Sequence, residues 1–216
     1  MRAESSSPGP VGNVYDKYGT RNPIARWMMG RFLSAVTELY GLARPRTVLE
    51  VGCGEGLLAV HLLEQGPVER MVLTDRELSR LTPALRARIA TEAAPGGPSL
   101  EATVADATAL PFADGSFDLV VCCEVLEHLQ DPELALSELA RVARGYVLLS
   151  TPREPLWRLL NVARGAYLGA LGNTPGHVQH WSRRGLRRLV ERQFTVDQER
   201  LPVPWTVLLA RRTVQS

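Results

Sequence analysis

The sequence predicts an α/β fold in which helices cover both faces of a mainly parallel sheet. Short apolar runs of strand length alternate with segments of helical spacing, and this alternation is typical of βαβ units. The mostly apolar residues 48–51 also lead directly into a run that contains Gly52, Gly54 and Gly56. Alternate glycines allow a tight turn between a strand and a helix. Together, the two patterns predict a three-layer αβα sandwich.

The predicted elements follow one another in a regular order. Residues 23–40 have the apolar spacing of an N-terminal helix, and a second helix is expected directly after the glycines. The triplet Asp131-Pro132-Glu133 combines a cap, a first-turn proline and an acidic residue, so it predicts the start of a further helix. A last helix is expected after Ser182. The expected strands are 47–51, 70–74, 100–104, 117–123, 146–150, 194–198 and 206–210.

Composition agrees with a globular domain. The chain has 216 residues, of which 45% are hydrophobic and 22% charged, so it can bury a single sizeable core. Residues 1–12 are rich in Ser, Pro and Gly and contain no apolar segment, so we expect a disordered lead rather than a signal peptide. Residues 13–216 are predicted to form one domain. The three cysteines lack disulfide or zinc spacing, and a cytoplasmic location is expected.

The glycine run has the spacing Glu-x-Gly-x-Gly-x-Gly, from Glu50 to Gly56. Dinucleotide-binding folds use Gly-x-Gly-x-x-Gly because the helix end must hold a pyrophosphate, and here the last glycine comes one position early. The second predicted strand leads to Asp75 and the third to Asp106, at the sheet edge where open parallel sheets bind ligands. From about residue 47 to residue 152 the chain resembles the class I S-adenosylmethionine-dependent methyltransferases. Within that class it resembles the methyltransferase domain 11 group and the ubiquinone-biosynthesis O-methyltransferases.

This resemblance implies a Rossmann-like three-layer sandwich whose seven-stranded, mainly parallel sheet includes an antiparallel strand from a C-terminal hairpin. It also implies S-adenosylmethionine as the cofactor. In the family pattern Asp75 holds both ribose hydroxyls, Asp106 accepts from the adenine amino group, and Ala107 offers its backbone to adenine. The expected cofactor-binding residues are Glu50, Gly52, Cys53, Gly54, Gly56, Asp75, Arg76, Asp106, Ala107 and Glu124.

Candidate catalytic residues follow the fourth predicted strand. Methyl transfer from a sulfonium is an in-line displacement, so the protein must align the acceptor and exclude water. A hydroxyl acceptor also benefits from a base, and His128, which follows Glu124 by four residues, is the candidate base. The alternative is that Glu124 and His128 only shape the pocket, by contacting the methionine part of the cofactor or capping a helix.

The run Glu-x-x-Glu-His, formed by Glu124, Glu127 and His128, allows a further hypothesis. It resembles the ubiquinone-biosynthesis O-methyltransferases, where these side chains are associated with a divalent cation. The resemblance therefore predicts a Mg²⁺ site at the three residues, which would stabilise a phenolate or enolate. On one regular helix Glu127 would lie about 60° from the face that Glu124 and His128 share, which permits joint ligation without requiring it.

Residues 153–181 are predicted to form a lid on the substrate side. No acidic residue occurs from position 155 to position 190. If residues 155–171 form one helix, Arg158 and Asn161 lie opposite a broad apolar face. That face would consist of Leu156, Leu159, Leu160, Ala163, Tyr167 and Leu171. A basic and apolar lid indicates an anionic or lipid-like acceptor and a peripheral membrane contact through residues 155–171. The alternative is a packed helix with solvated arginines.

The turn-rich segment 176–181 contains two further candidate catalytic residues, His177 and His180. They would orient or deprotonate the acceptor while Trp181 stacks on it. The alternative is that Trp181 anchors the last helix and the histidines bond to buried carbonyls.

These observations predict methyl transfer to a small-molecule acceptor by a monomer or homodimer. O-methylation of a quinone-like, lipid-linked or anionic acceptor is the favoured form. No specific nucleic acid partner is expected, because the chain has neither an Asn-Pro-Pro-Tyr-like motif after the fourth strand nor an added RNA-binding module. The alternatives are an RNA methyltransferase and a catalytically silent cofactor-binding protein.

Overall fold

The structure is a computed structural model that describes residues 22–91, 99–163, 165 and 167–213. The predicted disordered lead, residues 1–12, lies outside the described residues. The domain predicted over residues 13–216 is therefore described from Asn22 onwards.

Within the described residues, seven strands form one sheet in the order β3-β2-β1-β4-β5-β7-β6. The strands are β1 Thr47–Val51, β2 Arg70–Asp75, β3 Ser99–Val104, β4 Phe117–Cys123, β5 Ala143–Pro152, β6 Phe194–Arg200 and β7 Trp205–Arg212. The first five strands pair in parallel, and β7 is antiparallel to both of its neighbours. This topology confirms the Rossmann-like α/β fold and the antiparallel strand from the C-terminal hairpin.

The helices are α1 Pro23–Ala43, α2 Leu57–Leu63, α3 Pro83–Thr91, α4 Pro132–Val142, α5 Leu156–Ala163 and α6 Arg183–Val190. Local chemistry explains where several of them begin. The Asn22 side chain accepts from the first-turn N–H groups of α1, at 2.9 Å for Ile24. The Asp131 side chain accepts from Leu134 at 2.9 Å to cap α4, and Ser182 caps α6. The predicted starts of α4 and α6 are therefore confirmed.

The sheet is buried on both faces, as expected of a central parallel sheet. Successive side chains of a strand point to opposite faces. Val120 and Leu149 pack with α4 and α6, whereas Leu119 and Leu148 pack on the other side with α1, α2 and α3. All four of these strand residues are completely buried. The two apolar layers hold the carboxyl ends of the parallel strands at a common edge.

Residues 153–181, the segment predicted to form a lid and called the lid from here on, do not contain the single long helix considered for them. Helix α5 is eight residues long, and the chain then turns through a short 3₁₀ segment, Leu168–Ala170, between Tyr167 and Leu171, both of which are left-handed. Asn161 was expected on the polar face but is 2% exposed, whereas Leu159 is 61% exposed. The single helix considered for residues 155–171, with Asn161 on its polar face, is therefore not formed.

The physical reason is a hydrogen bond inside the lid. The Asn161 side-chain amide donates to the Gly172 carbonyl at 2.8 Å, and a Cβ on Gly172 would lie 2.3 Å from the Arg158 carbonyl oxygen. This close contact folds residues 167–173 back onto α5, so Asn161 must point inward.

No helix of the described residues has the length and apolar character needed to cross a membrane.

Candidate active site

A cleft opens at the carboxyl ends of β1, β2 and β4 and encloses about 1230 Å³, counting its open mouth. The glycine loop after β1, Asp75 and Ala107 line one part of it, and Glu124, His128 and Trp205 line another. Because β2 and β4 flank β1 on opposite sides, Asp75 and Glu124 mark two ends of this cleft. Asp75 therefore lies at the predicted sheet edge, whereas Asp106, predicted at the same edge, does not line the cleft.

The glycine loop is held tightly to the neighbouring strand. The N–H groups of Gly52 and Cys53 both donate to the Thr74 carbonyl, at 2.8 and 3.0 Å. Gly52 has a φ of +75°, and a Cβ there would lie 2.3 Å from a methyl carbon of Val125. Only glycine fits this position without displacing the loop that leads to His128.

Asp75 joins the glycine loop to β2. One carboxylate oxygen accepts from the Gly54 N–H at 2.8 Å, and the other accepts from the Glu77 N–H at 3.0 Å. An ionised carboxylate can accept about four hydrogen bonds. Two acceptor positions therefore remain for vicinal hydroxyls, which fits the ribose of S-adenosylmethionine.

Glu50 is a buried acid in the cleft wall. Its side chain is 3% exposed, and one carboxylate oxygen has no hydrogen-bond partner among the described residues. Burial, helped by the charge of Asp75, raises the pKa of Glu50 to about 8, although the Ala59 N–H acts in the opposite direction. Burial likewise raises the pKa of Cys53 well above its usual range, so this thiol lines the cleft as a neutral group.

Asp106 lies between Ala105 and Ala107, which line the cleft. One of its oxygens accepts from the backbone N–H and the hydroxyl of Thr108, at 2.9 and 2.7 Å. The other lies 3.7 Å from the Arg76 side chain. The Thr108 bonds, and then the charge of Arg76, lower the pKa of Asp106. The expected contact of Asp106 with adenine stays a prediction.

Gly56 has a structural reason of its own. Its φ is +76° where α2 begins, and a Cβ would lie 2.1 Å from a methyl carbon of Leu85 on α3. This glycine lets two helices pack closely. Its direct contact with the cofactor stays a prediction.

Glu124 is held by two distant strands. Its carboxylate accepts from the Ser150 hydroxyl at 3.0 Å and from the Trp205 indole N–H at 2.7 Å. Its backbone is left-handed, with a φ of +61°, so residues 124–128 do not form the regular helix considered for this segment. A strained conformation in a non-glycine residue is typical of functional sites. Sequence reasoning missed Trp205, whose only signal is its place between Pro204 and an apolar strand.

His128 lies at the end of a 3₁₀ turn, Leu126–His128, and lines the cleft. Its Nδ1 is 2.9 Å from the Gly176 carbonyl oxygen. Because a carbonyl oxygen can only accept, Nδ1 carries the hydrogen of this bond, which places the lone pair of a neutral ring on Nε2. The lid also bonds to this turn through the N–H groups of Val178 and Gln179, which donate to the Glu127 carbonyl at 2.9 and 3.0 Å.

The two lid histidines have different surroundings. The His177 ring is 8% exposed and lies edge-on to the ring of His128, with 4.9 Å between their centres. His180 Nε2 lies 2.7 Å from the side-chain oxygen of Asn173, inside the lid. The structure therefore brings His177, but not His180, to His128.

The predicted metal set is not the one that assembles. Glu127, His128 and His177 bring their donor atoms within 4.8 Å of one another, and Glu124 is not part of this group. The left-handed backbone at Glu124 and its bonds to Ser150 and Trp205 direct its carboxylate elsewhere. The set Glu124, Glu127 and His128 is therefore corrected to a cluster that includes His177.

Comparison with known proteins agrees with this fold. Residues 24–199 match the family model described as "Methyltransferase domain". The chain is 33% identical over 102 residues to norajmaline N-methyltransferase of Rauvolfia serpentina, covering 46% of this chain and 33% of that protein. It is 31% identical over 142 residues to the ubiquinone biosynthesis O-methyltransferase of Alkalilimnicola ehrlichii, covering 63% of this chain and 54% of that protein. The chain thus spans about a third to a half of the length of these relatives.

A solved structure shows the same fold. The magnesium protoporphyrin IX methyltransferase of Synechocystis PCC 6803, with bound SAH, superposes with a TM-score of 0.64 at 20% identity. The alignment covers 90% of each chain. The family model spans most of this chain. The chain therefore belongs to the class I methyltransferase domain family, the S-adenosylmethionine-dependent group.

Proposed function

We propose that this chain transfers a methyl group from S-adenosylmethionine to a hydroxyl of a planar, largely apolar small molecule of quinol type. The observation that carries this proposal is the fixed tautomer of His128. The Gly176 carbonyl holds the Nδ1 hydrogen at 2.9 Å, so the proton-accepting lone pair lies on Nε2 of a residue that lines the cleft.

The cofactor half of the cleft supports the donor. Asp75 offers two acceptor positions to a ribose. The space beside Gly54 is open, because a Cβ added to this residue would have no atom within 4 Å. When bound there, S-adenosylmethionine would supply an electrophilic methyl group. The remaining work of the protein is to bind, to orient the acceptor and to remove its proton.

The other half of the cleft is largely apolar and aromatic. Phe32 and Trp205 line it with their rings 5.0 Å apart, and Met29 and Leu129 add aliphatic surface. Glu124 fixes the Trp205 ring by accepting its indole hydrogen at 2.7 Å. A rigid wall of this kind favours a flat, weakly polar acceptor.

The proposed proton transfer needs a base whose charged form is tolerated. When His128 takes the hydroxyl proton at Nε2, it becomes an imidazolium. A Glu127 carboxylate oxygen lies within 4.8 Å of a His128 nitrogen and is buried. This carboxylate would stabilise the imidazolium, since a nearby opposite charge favours the charged form.

The outer surface of the lid supports a lipid-linked acceptor. Leu159, Leu168 and Leu171 are 61%, 58% and 74% exposed. These apolar side chains therefore face away from the protein interior. No acidic residue occurs between positions 155 and 190. We therefore propose that this surface contacts an anionic membrane at which a lipid-linked acceptor is presented.

The first test concerns the cofactor. Asp75→Asn removes the charge that would bind the ribose hydroxyls, at an expected cost of about 2 kcal/mol, or about 30-fold in affinity for S-adenosylhomocysteine. Titration calorimetry measures this loss. Glu69→Gln, an exposed carboxylate before β2, is the matched control. Equal affinity in Asp75→Asn and the unmodified chain would refute the cofactor assignment.

The second test concerns the acceptor. Quinols, catechols and their amino analogues are incubated with S-adenosylmethionine, and S-adenosylhomocysteine release is measured. We expect transfer to hydroxyls, with kcat reduced about 100-fold or more in His128→Asn and unchanged in His180→Asn. Cofactor binding without turnover would instead identify a silent binding protein, and methylation of RNA would place the chain in another substrate class. Transfer to amines alone would refute the proposed base.

A further inference from the structure

Three side chains of types that can ligate a metal come together from two parts of the chain beside the cleft. Glu127 and His128 belong to the turn after β4, and His177 belongs to the lid. One carboxylate oxygen and one nitrogen of each ring all lie within 4.8 Å of one another. Glu127 is 2% and His177 is 8% exposed, so two of the three donors are buried in protein.

These donors differ from the Mg²⁺ set that the sequence resemblance implies. The Glu124 carboxylate, the missing member, accepts from Ser150 at 3.0 Å and from Trp205 at 2.7 Å. Its replacement by His177 changes the donor chemistry from mainly oxygen to two nitrogens and one oxygen. Mg²⁺ prefers oxygen ligands, whereas two imidazoles and a carboxylate are typical of Zn²⁺ and other transition metals.

The surroundings of His128 support the same conclusion. Metal-ligating histidines commonly donate their other ring hydrogen to a carbonyl or carboxylate, which fixes the ring and its tautomer. The Gly176 carbonyl accepts this hydrogen at 2.9 Å. Gly176 directly precedes His177 in the chain, so the segment that orients one donor also supplies another.

The distances allow a metal ion after a small closure. Ligand atoms around a tetrahedral Zn²⁺, each about 2.0–2.1 Å from the ion, lie about 3.3 Å from one another. The separations here are at most 4.8 Å, so side-chain rotation has to bring the donors together by about 1.5 Å at most. His128, which lines the cleft, provides the route of entry.

We propose that Glu127, His128 and His177 bind a divalent transition-metal ion, with Zn²⁺ as the best match. The site stands on these three donors and does not depend on the proposed methyl transfer. One consequence does rest on that proposed function: a bound ion takes the His128 lone pair that would accept the acceptor's proton. Zn²⁺ is therefore expected to inhibit the reaction.

The full chain, freed of metal with a chelator, is titrated with Zn²⁺ by calorimetry and with Co²⁺ by visible absorption. We expect one ion per chain and Co²⁺ bands typical of a low-symmetry site with nitrogen and oxygen ligands. His177→Asn and Glu127→Gln should each weaken Zn²⁺ binding at least about tenfold. Circular dichroism and S-adenosylhomocysteine affinity confirm that each variant is folded.

Two matched variants separate this site from the alternatives. Glu124→Gln removes a member of the implied Mg²⁺ set, and His180→Asn removes the other lid histidine. Both should leave Zn²⁺ affinity unchanged. The proposal is overturned by the lack of saturable Zn²⁺ and Co²⁺ binding, which would leave a hydrogen-bonded network only. Loss of metal binding in Glu124→Gln would overturn it as well. Inhibition of methyl transfer by Zn²⁺ is measured in a separate assay. If the chain binds Zn²⁺ but never transfers a methyl group, that result counts against the proposed function and not against the metal site.

Discussion

Glu50 makes stability depend on pH in a direction that the structure specifies. The side chain is 3% exposed, and burial raises its pKa from 4.5 to about 8. Between these two values the folded chain keeps a proton that the unfolded chain has released. Since the folded state then binds more protons, the free energy of unfolding must fall as pH rises.

The expected magnitude follows from the width of that window. One proton of difference costs about 1.4 kcal/mol for each pH unit, so the loss from about pH 5 to about pH 7.5 is about 3 kcal/mol. Glu50→Gln keeps the shape of the side chain and cannot titrate. We therefore expect the variant to gain stability relative to the unmodified chain by about this amount over the same interval.

Urea unfolding at several pH values measures the difference in the free energy of unfolding between the two proteins. Groups that titrate equally in both proteins cancel in this difference. Glu64→Gln, which removes an exposed carboxylate at the end of α2, is the control and should give a flat difference. Parallel pH profiles for Glu50→Gln and the unmodified chain would refute the reasoning, because they would mean that Glu50 is ionised in the folded state.

Three further predictions concern the lid and the glycine loop. Asn161→Ala should cost about 2 kcal/mol, because the Gly172 carbonyl loses its buried donor, and amide exchange should rise in residues 167–173; unchanged exchange would contradict this. Gly56→Ala should cost at least about 1 kcal/mol in urea unfolding, because its φ is positive and a Cβ would lie 2.1 Å from a methyl carbon of Leu85; an unchanged midpoint would contradict this. Replacing Leu159 and Leu171 together by Ser should reduce cosedimentation with anionic vesicles; equal sedimentation would exclude this surface.

The elements that sequence patterns predicted well are those whose cause is local. Strand β1 is a mostly apolar run directly before Gly52. Its predicted bounds agree with Thr47–Val51 in the structure. The cap at Asp131 likewise depends on residues within one turn of α4. Such signals lie within a few residues of each other, so one sequence is enough to read them.

The lid was predicted poorly because its helix is determined by tertiary contacts. Apolar spacing over residues 155–171 indicated one amphipathic helix, yet α5 ends at Ala163. The side chain that turns inward is Asn161, which bonds to a carbonyl 11 residues later. Apolar periodicity cannot detect a buried amide that is satisfied by a fold-back of the chain.

The same distinction divides the candidate active site into two halves. The carboxylate of Asp75 and the N–H of Gly54 lie at the ends of adjacent strands, so the cofactor half follows from motif spacing. Glu124, in contrast, takes its direction from Ser150 and Trp205, which are 26 and 81 residues away. The helical geometry assumed for the metal hypothesis failed at this residue.

The proposed acceptor half is therefore built by long-range contacts between β4, β7 and the lid, and the proposed cofactor half by β1, β2 and their loop. Substitutions in the lid can alter the acceptor surface without touching the bonds between Asp75 and Gly54. Under the proposed function, this separation would let the acceptor change while the contacts to the cofactor stay the same. On this proposal, the choice of the methylated atom would depend on the surroundings of His128 and His177, where the lid meets the turn after β4.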